Sequence, residues 1–131
     1  MAESSALLAE IAAMRNQLDD VSSITAALLR NGAEELAEQI VEYLTADEAA
    51  RRVFLMSDGM TTQADILSAL QTGGIAGGSG AGVSRRIDRL VNDFHLLAHD
   101  RRAGNSKVYR RTEVARALHI ERRLKKLGLG L

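Results

Sequence analysis

Residues 83–112 read VSRRIDRLVNDFHLLAHDRRAGNSKVYRRT, and two periodicities meet inside them. Val83, Ile87, Leu90, Phe94 and Leu97 recur at steps of four, three, four and three, which makes them one stripe of an amphipathic helix. At about 100° per residue, the positions opposite that stripe are Arg85, Asp88, Arg89 and Asn92, with Ser84 toward the edge. Past Leu97 the helical period stops. Residues 97–100 and 108–111 are short runs flanking a basic segment, in which Gly104 and Asn105 tolerate the positive φ of a reversal. The expectation is a β-hairpin bearing Arg101, Arg102, Lys107, Arg110 and Arg111 against Asp100, a cation density that suits phosphate.

Upstream, Leu7, Ile11, Met14, Leu18, Val21, Thr25 and Leu28 are spaced four, three, four, three, four, three. This heptad seam predicts a helix over 3–30, about 42 Å long, that pairs with a second copy of the chain, packing within one chain being the alternative. Asn31 and Gly32 suit its C-terminus. A second helix follows with Glu34 and Glu35 in its first turn and Leu36, Ile40, Tyr43 and Leu44 on one face. Asp47 opens a third, ending near residues 57–59. Thr61 or Thr62 caps a short helix whose buried side is Ala64, Ile66, Leu67 and Leu70, with Asp65 placed as in a capping box. Thr112 caps a last helix in which Ala117, Ile120, Leu124 and Leu127 form an apolar stripe under Arg116, Arg122, Arg123, Lys125 and Lys126.

A chain of 131 residues without internal repeats suits one domain with an appended helix. Its only aromatics are Tyr43, Phe54, Phe94 and Tyr109, so the core must be mainly aliphatic. Cysteine is absent, which excludes disulfides and thiolate metal sites. The sequence shows neither an apolar run of membrane-spanning length nor a signal peptide, so a cytoplasmic protein without membrane contact is expected. The formal net charge of zero conceals a dipole: residues 1–60 hold four Arg against eleven Asp or Glu, and residues 61–131 hold thirteen Lys or Arg against six. The local field governs nucleic-acid binding, so the overall balance does not exclude it. Mutual neutralisation of the two halves is the plainer alternative.

The segment 52–66, RVFLMSDGMTTQADI, and the segment 83–91, VSRRIDRLV, resemble the helix–turn–helix and recognition-helix start of winged helix-turn-helix regulators of the MarR and ArsR type. The resemblance spans roughly 47–112, about half of the chain. It implies a mainly α fold with a small β-hairpin: a dimerisation helix at 1–31, a winged helix-turn-helix at 33–112 and a C-terminal dimerisation helix at 113–131. It also implies a homodimer with helices from both chain ends at the interface, which assigns that role to Leu7, Ile11, Met14, Leu18, Val21, Leu28, Ile120, Leu124 and Leu127. Double-stranded DNA is then the partner, read in successive major grooves. The stretch 71–82, QTGGIAGGSGAG, departs from the pattern, being far longer than the usual turn of roughly three or four residues.

On this reading Ser84, Arg85, Arg89 and Asn92 meet base edges. Arg101, Arg102 and Lys107 reach backbone or minor groove, while Thr61, Thr62 and Gln63 hold phosphate at a helix N-terminus. The glycine stretch fails both phosphate-loop fingerprints, because no strand precedes it and no Gly-Lys-Ser/Thr ends it; a flexible loop is expected. His95 and His99 have an i, i+4 metal spacing but no completing ligands, and Ser84 has no partner base. Neither an enzyme nor a cofactor is expected, although a small-molecule or protein effector is compatible with a dimer. The competing class is a winged-helix and coiled-coil adaptor that binds proteins within a larger assembly.

Overall fold

The chain divides into two compact units, residues 1–34 and 35–131. A computed structural model describes residues 32–131. The heptad seam at Leu7, Ile11, Met14, Leu18, Val21, Thr25 and Leu28 lies outside the described residues, as does Asn31.

Six helices and a three-stranded antiparallel sheet make up the described fold. Helix α1 spans Ala33–Ala46 and buries Ala37, Ile40 and Leu44, spaced three and four apart as one helical face requires. Asp47 breaks the helical run with φ −117° and starts α2, Glu48–Met56, by accepting the Ala50 amide at 3.0 Å. This helix sinks Ala49, Ala50, Val53, Phe54 and Leu55 into the core. Strand β1, Asp58–Thr62, follows, and Thr62 then caps α3, Gln63–Thr72, by accepting the Asp65 amide at 3.1 Å. Helix α4 is Gly80–Asn92, with Ser79 as its cap. Strands β2, Leu97–Ala103, and β3, Ser106–Arg111, form the hairpin, and the sheet order is β1-β3-β2. Helices α5, Glu113–Ala117, and α6, Ile120–Lys126, close the chain.

Several expectations need correcting. The hairpin has a third partner: β1 occupies the place read as a helix end followed by a cap. DGMTT has no apolar alternation because it is an exposed edge strand, shaped by an Asp58 carboxylate that accepts the amides of Met60 (2.9 Å) and Thr61 (2.8 Å). The hairpin strands are longer than expected. Ala103 pairs with Ser106, the reversal is Gly104-Asn105 alone with Gly104 at φ 64°, and Arg101, Arg102 and Lys107 therefore lie within strands. Helix α4 starts three residues before Val83 and ends at Asn92, so Phe94 and Leu97 lie beyond it. His95 takes the left-handed conformation (φ 53°) that closes the helix, with the Leu96 amide returning to Leu90 O at 2.8 Å.

The predicted last helix is two helices, hinged at His119 with φ 55°. Ile120 and Leu124, expected at a dimer interface, are both 0% exposed within a single copy of the chain and have no surface to offer a partner; Leu127 is 58% exposed. Ala64 also faces solvent rather than the buried side of α3, which is formed by Ile66 and Leu70 with Leu67 half-buried.

Candidate functional site

The site is set by how α4 is held. Val83, Ile87 and Leu90 anchor one face in the core, leaving Ser84, Arg85, Asp88, Arg89 and Asn92 exposed around the rest. Arg86, at the stripe's edge, is the positioning residue that the periodicity did not single out. Its Nε donates to both Asp47 carboxylate oxygens (3.0 and 3.1 Å), and its Nη1 donates to the carbonyls of Gly82 (3.1 Å) and Gly77 (3.3 Å). Burial alone would raise the Asp47 carboxyl, but hydrogen bonds from Arg86 and the amides of Ala50 and Ala49 outweigh it and hold the group below the usual carboxylate value.

Arg86 thereby ties the glycine stretch, expected to be a flexible loop, to the α1–α2 junction. Further bonds brace the stretch: Ile75 N to Leu70 O (3.0 Å), Gly78 N to Ile75 O (3.1 Å) and Gly82 N to Ser79 Oγ (3.0 Å). Glycine is needed at Gly77, where φ is +84°, and at Gly82, where any Cβ would collide with the Gly77 carbonyl.

Five of the ten predicted DNA contacts line one open groove between the start of α3, the exposed side of α4 and the hairpin: Gln63, Ser84, Asn92, Arg102 and Lys107. Gln63 Nε2 donates to Ser84 Oγ at 3.2 Å, linking α3 to α4 at the groove's edge. Arg102 and Lys107 pair in register across β2 and β3, and among the described residues neither has a carboxylate partner. Like charges directly opposite in a sheet cost stability, so this pair is not there to hold the hairpin together. Asp88, His99 and Tyr109 line the same groove, with the His99 ring edge-on to Tyr109 at 5.7 Å. The Tyr109 phenol is raised by burial first and by the Asp88 charge second. Arg85 is exposed on α4 and has no partner among the described residues.

The other predicted contacts are placed or engaged elsewhere. Arg89 turns toward α1: its guanidinium sits 5.1 Å from the Tyr43 ring centroid and 3.8 Å from the Asp93 carboxylate. Arg101 Nη1 donates to Gly59 O at 2.7 Å and to Asp100 at 2.8 Å, fastening the hairpin to β1. Thr61 donates its amide and its hydroxyl to Asp58. The Thr62 hydroxyl accepts the Asp65 amide, and the Ala64 amide donates to Ser106 Oγ at 3.0 Å, so two amides of the first turn of α3 already have acceptors. The Asp65 carboxylate in the same first turn further opposes phosphate there.

A second basic cleft is lined by Phe54, Arg111, Arg116, His119, Glu121, Arg122 and Lys125. Most of its cations are matched: Arg111 and Lys125 with Glu121 (3.8 and 3.6 Å), and Arg116 with Glu113 (3.0 Å).

His95 and His99 lie on different elements, a left-handed turn and β2. Among the described residues there is no group of three metal-ligating side chains, and no helix is long and apolar enough to cross a membrane. Comparison with protein-family models, curated proteins and solved structures finds no match to this chain.

Proposed function

We propose that this chain is a cytoplasmic, homodimeric, sequence-specific double-stranded-DNA-binding protein of the winged helix-turn-helix kind, regulating transcription without catalysis or cofactor. The order α2-β1-α3-α4-β2-β3, with β3 central in the sheet, supports that assignment. In it α3 and α4 are the two helices of the reading unit, α4 enters the major groove and β2–β3 is the wing. The carrying observation is the Arg102–Lys107 pair. Two cations face each other across the hairpin without an acid among the described residues and flank a groove walled by the hydrogen-bonding groups of Ser84 and Asn92. Arg85, also unpaired among the described residues, would add a contact from α4. The seam at 7–28 would pair two copies and present two such grooves to successive half-sites.

A gel-shift titration on random duplex tests this. Retardation at about 50 mM salt that fades steeply by about 200 mM is the expected result, because phosphate contacts release counterions. Absence of retardation at low salt would favour the protein-binding adaptor. Light scattering should give twice the 14.2 kDa chain mass.

A further inference from the structure

The groove contains one group that phosphate cannot explain. Asp88 is an exposed carboxylate on α4 that lines the groove together with Arg102 and Lys107, yet it has no ion-pair partner among the described residues. Its Oδ1 accepts the Asn92 Nδ2 hydrogen at 2.6 Å, one helical turn on, so the amide of Asn92 is held in one orientation. A carboxylate facing DNA repels phosphate oxygens and every acceptor on the base edges. In the major groove only two groups can donate to it: the N4 amino group of cytosine and the N6 amino group of adenine. Guanine O6 and N7 and thymine O4 are acceptors and are penalised. The Asn92 amide, with one hydrogen committed to Asp88, keeps one N–H and its carbonyl oxygen for a neighbouring edge.

We infer that Asp88, braced by Asn92, is the specificity residue of this groove, selecting cytosine or adenine over guanine or thymine on the strand that it faces and weakening attachment to sites that present only acceptors there. This rests on the DNA-binding function proposed above. Arg102 and Lys107 supply grip and Asp88 supplies discrimination, and the groove needs both because unpaired cations alone bind any duplex.

The test is selection of bound sequences from a random duplex pool by the wild type, Asp88→Asn, Asp88→Ala and Asp88→Glu, with affinities measured on the selected and on random duplex at one salt concentration. The wild type is expected to enrich cytosine or adenine at one position of each half-site. Asp88→Ala should lose that enrichment, bind random duplex severalfold more tightly, and show a selected-to-mismatched ratio lower by roughly ten- to a hundredfold. Asp88→Asn, whose amide keeps an acceptor and can pair with adenine N6 and N7, should also bind random duplex more tightly while losing cytosine and keeping adenine. Asp88→Glu should retain the amino preference. If Asp88→Ala enriches the same base with the wild-type ratio, or if Asp88→Ala and Asp88→Asn bind random duplex more weakly than wild type, the role of Asp88 is overturned while DNA binding stands. If the wild type binds no duplex at any salt, the DNA-binding function falls and this inference with it.

Discussion

Arg85 and Arg86 are neighbours in sequence on one helix, yet the two flanks of α4 treat their charges in opposite ways. On the flank facing α1 each cation is matched: Arg86 by Asp47 at 3.0 Å, and Arg89 by the Tyr43 ring and Asp93. On the flank facing the hairpin, among the described residues, Arg102 and Lys107 oppose each other without an acid, beside an Asp88 that is likewise without a cation. The first arrangement is what stability favours, since opposite charges sit together and burial is compensated. The second costs stability and is available to a ligand. On the proposed function, pairing rather than the count of arginines separates scaffold from site; the C-terminal cleft is likewise rich in cations, but Glu113 and Glu121 largely satisfy them.

The comparison breaks most visibly at Lys107→Glu. That change puts an acid opposite Arg102 and should stabilise the hairpin by about 0.5 kcal/mol in urea unfolding, while lowering duplex affinity by roughly a hundredfold in the gel shift, since it deletes one phosphate contact and adds a repulsive charge. A loss of stability with affinity intact would invert the roles of the two flanks. Arg86→Ala should do the opposite, costing about 2 kcal/mol of folding free energy by stranding a half-buried carboxylate and releasing the glycine stretch. Arg86→Lys should recover only part, because an ammonium lacks the guanidinium's fixed fork.

The same pair sets a pH dependence. The Asp47 carboxyl is depressed in the folded state, so its contribution is fully present above the ordinary value of 3.8 and is lost as pH falls through the lower folded value. Asp58, also depressed, acts in the same direction. Stability followed from pH 6 toward about pH 2 should therefore fall on the acid side, and Asp47→Asn should flatten part of that fall; an unchanged acid limb would show that the pairing contributes nothing. Thr62→Ala should cost about 1 kcal/mol as a lost helix cap, with duplex affinity within twofold of wild type. The smallest effect is expected from Arg116→Ala with Lys125→Ala: affinity unchanged and stability altered by about 0.5 kcal/mol or less, as for exposed ion pairs.

Some elements were readable from local pattern alone. Val83, Ile87 and Leu90 announced α4 because burial at helical spacing is encoded within a few residues, and Asp47, Thr62 and Thr112 announced three helix starts because a cap bonds an amide only three residues away. Strand β1 was not readable, since its partner β3 lies more than forty residues downstream and an exposed edge leaves no hydrophobic alternation. The two-helix ending was equally hidden: the stripe Ala117, Ile120, Leu124 continues through a left-handed His119 that no glycine marks. Within the candidate site, Gln63, Ser84, Asn92, Arg102 and Lys107 were named by residue type and position, whereas the withdrawal of Arg89, Arg101, Thr61 and Thr62 into internal bonds depends on partners distant in sequence or set by the local turn.

The sequence by itself determined which residues could be buried, where most helices begin and that the hairpin is basic, because periodicity, capping and charge are local properties of the chain. The tertiary structure decided which charges are free. An arginine is matched or left unmatched according to what lies within about 4 Å of it in space, and for Arg86, Arg102 and Lys107 that neighbour is set by strand register and helix packing rather than by adjacent residues.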